Sequence, residues 1–196
     1  MSAANTRQLI IEAADRLFYE QGFEATAFAD IAAAISISRG NFYYHFKTKD
    51  EILDSVIALR LDRTRSLLLA WQDGAETPLE RIRCFIRLLT ANSAGIMLHG
   101  CPVGTLCSEL AKLDHAALVH ATEVFTLFRE WLAGQFAALG RTADADALAM
   151  HLLMRSQGVA TLAAAFRDQA FIPREVEDMC AWLDAQKSAA PSPATA

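Results

Sequence analysis

The sequence is poor in helix breakers and in the patterns that mark most other protein classes. It has nine glycines and five prolines in 196 residues and is 53% hydrophobic, a composition that excludes collagen-like and disordered chains. No stretch approaches the roughly 18 consecutive apolar residues of a membrane span. The first residues lack the basic-then-apolar layout of a signal peptide, so a cytoplasmic protein with no membrane partner is expected. The four cysteines, Cys84, Cys101, Cys107 and Cys180, form no C-x-x-C pair. They are not spaced with histidines as zinc ligands are, so neither a metal site nor a disulfide framework is expected. His45, His99, His115, His120 and His151 form no E-x-x-H or H-x-x-x-H pair. No serine or cysteine sits in a recognisable nucleophile motif, so no catalytic residue and no cofactor are expected. Positive charge is also short: 18 Lys and Arg against 23 Asp and Glu give a net −5, which on its face argues against a nucleic-acid partner.

What the sequence has in abundance is apolar residues at three- and four-residue spacing, with no sustained alternation of period two. The expected fold is all-α, with an N-terminal helix-turn-helix domain of three helices, a C-terminal helical bundle and about nine helices in total. Asn5 with Gln8 is expected to cap a first helix carrying Leu9, Ala13 and Leu17 and ending at Gly22. A short helix follows Thr26, with Phe28, Ile31 and Ala32 buried, and a second follows Ser38. Thr48 with Glu51 makes a capping box for a helix to about Trp71, and Thr77-Pro78-Leu79-Glu80 opens another over 78–98. Further helical patterns cover 102–113, 115–139, 144–168 and 173–187. The expected divisions are 1–50, 51–188 and a disordered tail at 189–196.

Charge is unevenly placed. Residues 1–65 hold eight Lys and Arg against nine Asp and Glu, yet the 14 residues Ser36 to Lys49 carry Arg39, Lys47 and Lys49 and no acid. Ser38, Asn41, Tyr43, Tyr44 and His45 are interleaved with them. Phosphate contact is short-ranged under physiological screening, so distant acids do not cancel such a stripe. Two short helices and a tight turn bearing these residues fit a helix-turn-helix, whose second helix enters the major groove.

The runs Thr26-Ala27-Phe28-Ala29-Asp30-Ile31-Ala32 and Ile37-Ser38-Arg39-Gly40-Asn41-Phe42-Tyr43-Tyr44-His45-Phe46-Lys47-Thr48-Lys49-Asp50-Glu51 resemble the DNA-binding domain of TetR/AcrR-type transcriptional regulators. The resemblance runs from about Thr6 to Leu53, roughly a quarter of the chain. It implies a dimeric repressor, bound to a palindromic double-stranded operator, whose C-terminal helices bind a small effector. Arg39 and Asn41 would then reach base edges, since Arg suits guanine and Asn suits adenine. Ser38, Tyr43, His45 and Lys49 would hold phosphates, and Thr26 would anchor the start of the preceding helix on the DNA backbone. Phe42 and Phe46 are core. Two positions depart from the family pattern: Ala29 stands where an arginine contact is common, and Ser36 where glycine often makes the turn. A positive φ at Ser36 would cost on the order of 1 kcal/mol.

The segment from His99 to Leu110 is similar to the G-C-x-x-G/x-x-L-x-x-E-L segment of a subset of these regulators, some of which sense electrophiles or oxidants through the cysteine. Pro102 at a first helical position puts Cys101 at the N-cap, where free N–H groups and the helix dipole favour a thiolate. The alternative is that Cys101 is a small residue fitting a crowded helix entry. Cys107 is expected to pack. If the effector binds reversibly, the candidate lining residues are Leu88, Asn92, Met97, Phe128, Trp131, Met154 and Gln157, and their apolar character favours a lipophilic or aromatic ligand. Small residues in 144–168, with the amphipathic 173–187, are expected to pair with a second copy. Two other readings stand beside this one: a helical interaction module without DNA binding, and an enzyme on a helical bundle.

Overall fold

The computed structural model describes residues 3–188; the expected tail at 189–196 lies outside them. Ten helices and no strand are found among the described residues. They are α1 (Ala3–Gln21), α2 (Phe28–Ala34), α3 (Arg39–His45), α4 (Lys49–Gly74), α5 (Pro78–Ala91), α6 (Ser93–His99), α7 (Pro102–Lys112), α8 (Leu118–Ala138), α9 (Ala145–Phe166) and α10 (Phe171–Ser188). None is long and apolar enough to cross a membrane.

Caps set the boundaries. Thr48 Oγ1 accepts from the Glu51 N–H at 3.1 Å, and Thr77 Oγ1 accepts from the Glu80 N–H at 3.2 Å. Each gives one orphan donor of a first turn a partner. Pro78 opens α5, where its missing N–H costs nothing. Two expected boundaries move. Asn5 lies inside α1 rather than at its cap, because the helix already runs from Ala3. The pattern expected as one helix over 78–98 breaks at Asn92, whose φ of −105° and ψ of 12° leave helical geometry and divide α5 from α6, giving ten helices instead of nine.

The chain forms two compact units, and they do not follow a boundary at residue 50. The first takes the residues up to Thr64 together with Pro102–Val124. In it α1 packs on α2 and α7, and α2 on α3, around buried Ile10, Phe18, Ile31, Phe42, Phe46 and Leu110. The second takes Arg65–Cys101 and the residues from Phe125 onward. In it α10 packs on α5 and α9, and α6 on α9, around Ile82, Ile86, Leu132, Phe136, Leu152 and Leu183. Ion pairs trim the surface of this second unit: Arg129 meets Asp146 at 2.6 Å, and Arg83 bridges Glu80 and Asp184. All four cysteines are half-buried and unbridged.

Phe136 has no exposed surface, so Phe136→Ala is expected to lower the unfolding free energy by about 3–5 kcal/mol in a denaturant titration. Val119→Ala on the exposed start of α8 is expected to change it by no more than about 0.5 kcal/mol.

Candidate nucleic-acid interface

The first unit presents α3 on a turn that its sequence makes unusual. Ser36 has a φ of 56°, the left-handed conformation a side chain rarely adopts. Ser38 then caps α3, its hydroxyl oxygen accepting from the Asn41 N–H at 3.3 Å. Phe42 and Phe46 anchor the helix from below, each with about 1% exposure. That leaves the opposite side to solvent: Arg39, Asn41, Tyr43, Tyr44 and Lys47 are all exposed. Arg39 sits at the first helical position. The Tyr43 ring stands edge-on to Phe28, with centroids 5.6 Å apart, so its orientation is set by packing while 47% of the residue stays exposed. His45, half-buried, ends the helix with its ring edge-on to Tyr44 at 5.1 Å.

Two residues expected to hold phosphates have hydrogen-bond partners within the fold. Thr26 is 1% exposed and its hydroxyl donates to the Gly22 carbonyl at 2.7 Å. Its donor is committed inside the fold, and the N-cap of α2 is Ala27, whose N–H donates to the Asp30 carboxylate at 2.8 Å. Lys49 is half-buried. Its ammonium donates to the Glu24 carbonyl at 2.9 Å and lies 4.6 Å from the centre of the Phe23 ring. Tyr44, left without a firm role on the sequence alone, is 72% exposed on α3; its exposure is the signal that sequence could not supply.

The residues that hold this surface in place were not assigned from sequence. Glu109 on α7 accepts two backbone hydrogen bonds from the turn after α1, from Phe23 and from Glu24, both at 2.8 Å. Gly22 precedes them with a φ of +95°, and a Cβ there would lie 3.1 Å from Glu109 Oε1; both conformation and space require glycine. Arg60 on α4 is 9% exposed. It donates to the Asp15 carboxylate on α1 at 2.7 Å and to the Pro102 carbonyl on α7 at 2.6 Å. A buried guanidinium is tolerable only with such partners. The turn that carries α2 and α3 is therefore fixed from α7 by a carboxylate, and α1, α4 and α7 are tied by one arginine.

In the second unit the expected effector residues scatter. Phe128 and Trp131 do come together around Trp71, at 6.4 and 5.6 Å between ring centroids, and Phe85 joins Phe128 at 5.4 Å. One turn beyond Trp131, Gln135 donates to Gln72 at 3.2 Å, while its own buried Oε1 has no hydrogen-bond partner among the described residues. Leu88, Met97 and Gln157 are half-buried on α5, α6 and α9, and Asn92 is exposed at the break between α5 and α6. Met154 on α9 is 63% exposed. Cys101 is half-buried between Gly100, which closes α6, and Pro102, which opens α7. Burial pushes the Cys180 thiol up, against the pull of Arg87 and Arg83.

A sequence profile described as "Bacterial regulatory proteins, tetR family" matches residues 10–56. The chain is 31% identical to the transcriptional regulator AcuR of Cereibacter sphaeroides, with 75% of this chain and 71% of that protein covered. It is 27% identical to the HTH-type transcriptional repressor DhaR of Mycobacterium sp. (strain GP1), of whose length it spans 64%. A TetR transcriptional regulator from Legionella pneumophila superposes with a TM-score of 0.80 at 25% identity, over 94% of this chain and 97% of that one.

With a lysine and a glycine committed to the turn, Glu109 is the residue whose loss should be felt most. Glu109→Leu leaves the buried Phe23 N–H unpaired and is expected to cost about 2–4 kcal/mol in a urea titration. Glu109→Gln, which keeps one carbonyl acceptor, should cost less.

Proposed function

The chain belongs to the tetR family of bacterial regulatory proteins, and we propose that it is a dimeric, DNA-binding repressor released from a palindromic operator by a small effector. The single observation that carries this is the exposed, acid-free side of α3, with Arg39, Asn41, Tyr43, Tyr44 and Lys47 displayed over a buried Phe42 and Phe46. Residues 1–50 read DNA: Arg39 and Asn41 reach base edges, while Ser38, Tyr43 and His45 hold phosphates. Residues 51–188 bind the effector and the second copy. The matched family and the named relatives are regulators, so nothing favours a helical-bundle enzyme or an interaction module that has lost DNA binding. It acts in the cytoplasm, where its operator is.

Dimerisation through α9 and α10 is supported by the outer side of α9. There Met150, Met154 and Leu162 are exposed, and nothing approaches within 4 Å of the place where a Gly158 Cβ would stand. An apolar stripe with a glycine in it lets a second helix come close. Two recognition helices held near 34–36 Å apart can then read successive major grooves.

Two observations support two kinds of effector. The ring cluster of Trp71, Phe85, Phe128 and Trp131, beside the unpaired Gln135 oxygen, suits a flat apolar ligand with one hydrogen-bonding group. The place of Cys101, half-buried just before Pro102 opens α7, suits a thiol-reactive effector. Either acts by moving α4, which runs through both units, and so changes the separation of the recognition helices. A coupling of about 1–3 kcal/mol suffices to release the operator.

A mobility-shift titration with DNA from upstream of the gene tests the reading. Arg39→Ala should weaken binding about 5- to 150-fold. Wild-type affinity should fall roughly 10²-fold or more between 50 and 200 mM salt if about four phosphates are held; a flat salt response would exclude phosphate anchoring. Thiol alkylation at neutral pH addresses the sensing arm. Cys101 should react faster than glutathione and Cys180 more slowly, with DNA released only where Cys101 is present. A Cys101 no faster than glutathione leaves only the reversible ligand.

A further inference from the structure

Beside the exposed side of α3 lies a recess of about 310 Å³. Three small side chains of the α2 segment, Ala27, Ala29 and Ala32, form one wall, and the rings of Phe28, Phe42 and Tyr43 form the rest. Phe28 lies 5.1 Å from Phe42 and 5.6 Å from Tyr43 between centroids, so the rings are locked together. Arg39 stands at the rim as the one charged residue of the lining. Ala29, the second residue of α2, and Arg39, the first of α3, are both exposed. The recess therefore opens on the same surface as the guanidinium.

We infer that this recess takes the 5-methyl group of a thymine next to the base pair reached by Arg39, and that Ala29 is the residue that admits it. The inference rests on the DNA-reading function proposed above. Thymine is the one base that shows an apolar group in the major groove, and Ala and Phe side chains are its natural neighbours. The alanine methyls and ring faces of the recess offer a methyl group apolar contact that water does not use. A longer side chain at position 29, on the wall of the recess, would reach into the space a methyl group needs; alanine leaves it open. Adjacent base pairs are about 3.4 Å apart along the duplex, which keeps the methyl within reach while Arg39 holds its own base.

Deoxyuridine differs from thymidine only by that methyl, so it isolates the contact. The full-length protein is used to select binding sites from a random duplex pool, and each thymine of the selected site is then replaced singly by deoxyuridine. One thymine in each half-site is expected to lose about fourfold in affinity on replacement, and roughly 15-fold when both are replaced. With Ala29→Gln, and with the shorter Ala29→Asn, that penalty should vanish while binding to the site persists; position 29 is exposed, so thermal melting should be unchanged. The inference is overturned if no thymine is sensitive, or if every penalty survives both substitutions. Selection of no sequence at all would instead overturn the DNA-reading function, and the inference with it.

Discussion

One carboxylate holds the reading surface. The turn between α1 and α2 exposes two successive N–H groups that no helix or strand can pair, and backbone donors of this kind do not stay unpaired in a folded interior. Glu109 pairs both, from a helix that begins 80 residues further along the chain. Around it the turn is closed by Gly22 in a left-handed conformation, by Lys49 on the Glu24 carbonyl, and by Phe23, whose ring meets His115 edge-on at 5.5 Å. The position of α2 and α3 is thus decided partly by α7, and the Arg60 contacts to Asp15 and Pro102 repeat the tie on the other side of α1.

This arrangement explains why charge totals mislead. The net −5 belongs to the whole chain, while the stripe from Ser36 to Lys49 carries three cations and no acid. The structure sharpens even that. Of the three, Lys47 and Lys49 each donate to a backbone carbonyl, of Tyr43 and of Glu24, at the surface, and Arg39 stands exposed at the start of α3. A helix with so few cations must rely on polar side chains and on packing-fixed aromatics for the remainder of its contacts, which is what Asn41, Tyr43 and Tyr44 offer.

Local signals were readable. The caps at Thr48 and Thr77 lie where the residues ask for them, α3 starts after Ser38, and the positive φ at Ser36 is the strain anticipated for a serine in a glycine's place. What could not be read is what depends on partners distant in sequence. Thr26 has the right chemistry for a phosphate, but the Gly22 carbonyl claims its buried hydroxyl first. Met154 fits an apolar periodicity, yet periodicity alone does not say which side of α9 is covered. Asn92 breaks a helix whose apolar pattern continues on both sides of it. Glu109 and Arg60 look like ordinary surface charges until their partners, 85 and 42 residues away, are seen.

The tie between α7 and the turn bears on how such proteins can be recombined. The helix-turn-helix looks like a cassette, ending near residue 50, that could be moved onto another regulator's body to redirect an effector response. A transplant cut there would leave behind Arg60, Glu109 and the whole of α7, and the graft would carry two unpaired N–H groups and an Asp15 without its cation. The portable part is discontinuous. It includes Pro102–Val124 as well as the residues up to Thr64, and exchange of reading specificity between relatives must respect that seam or confine itself to the exposed residues of α2 and α3.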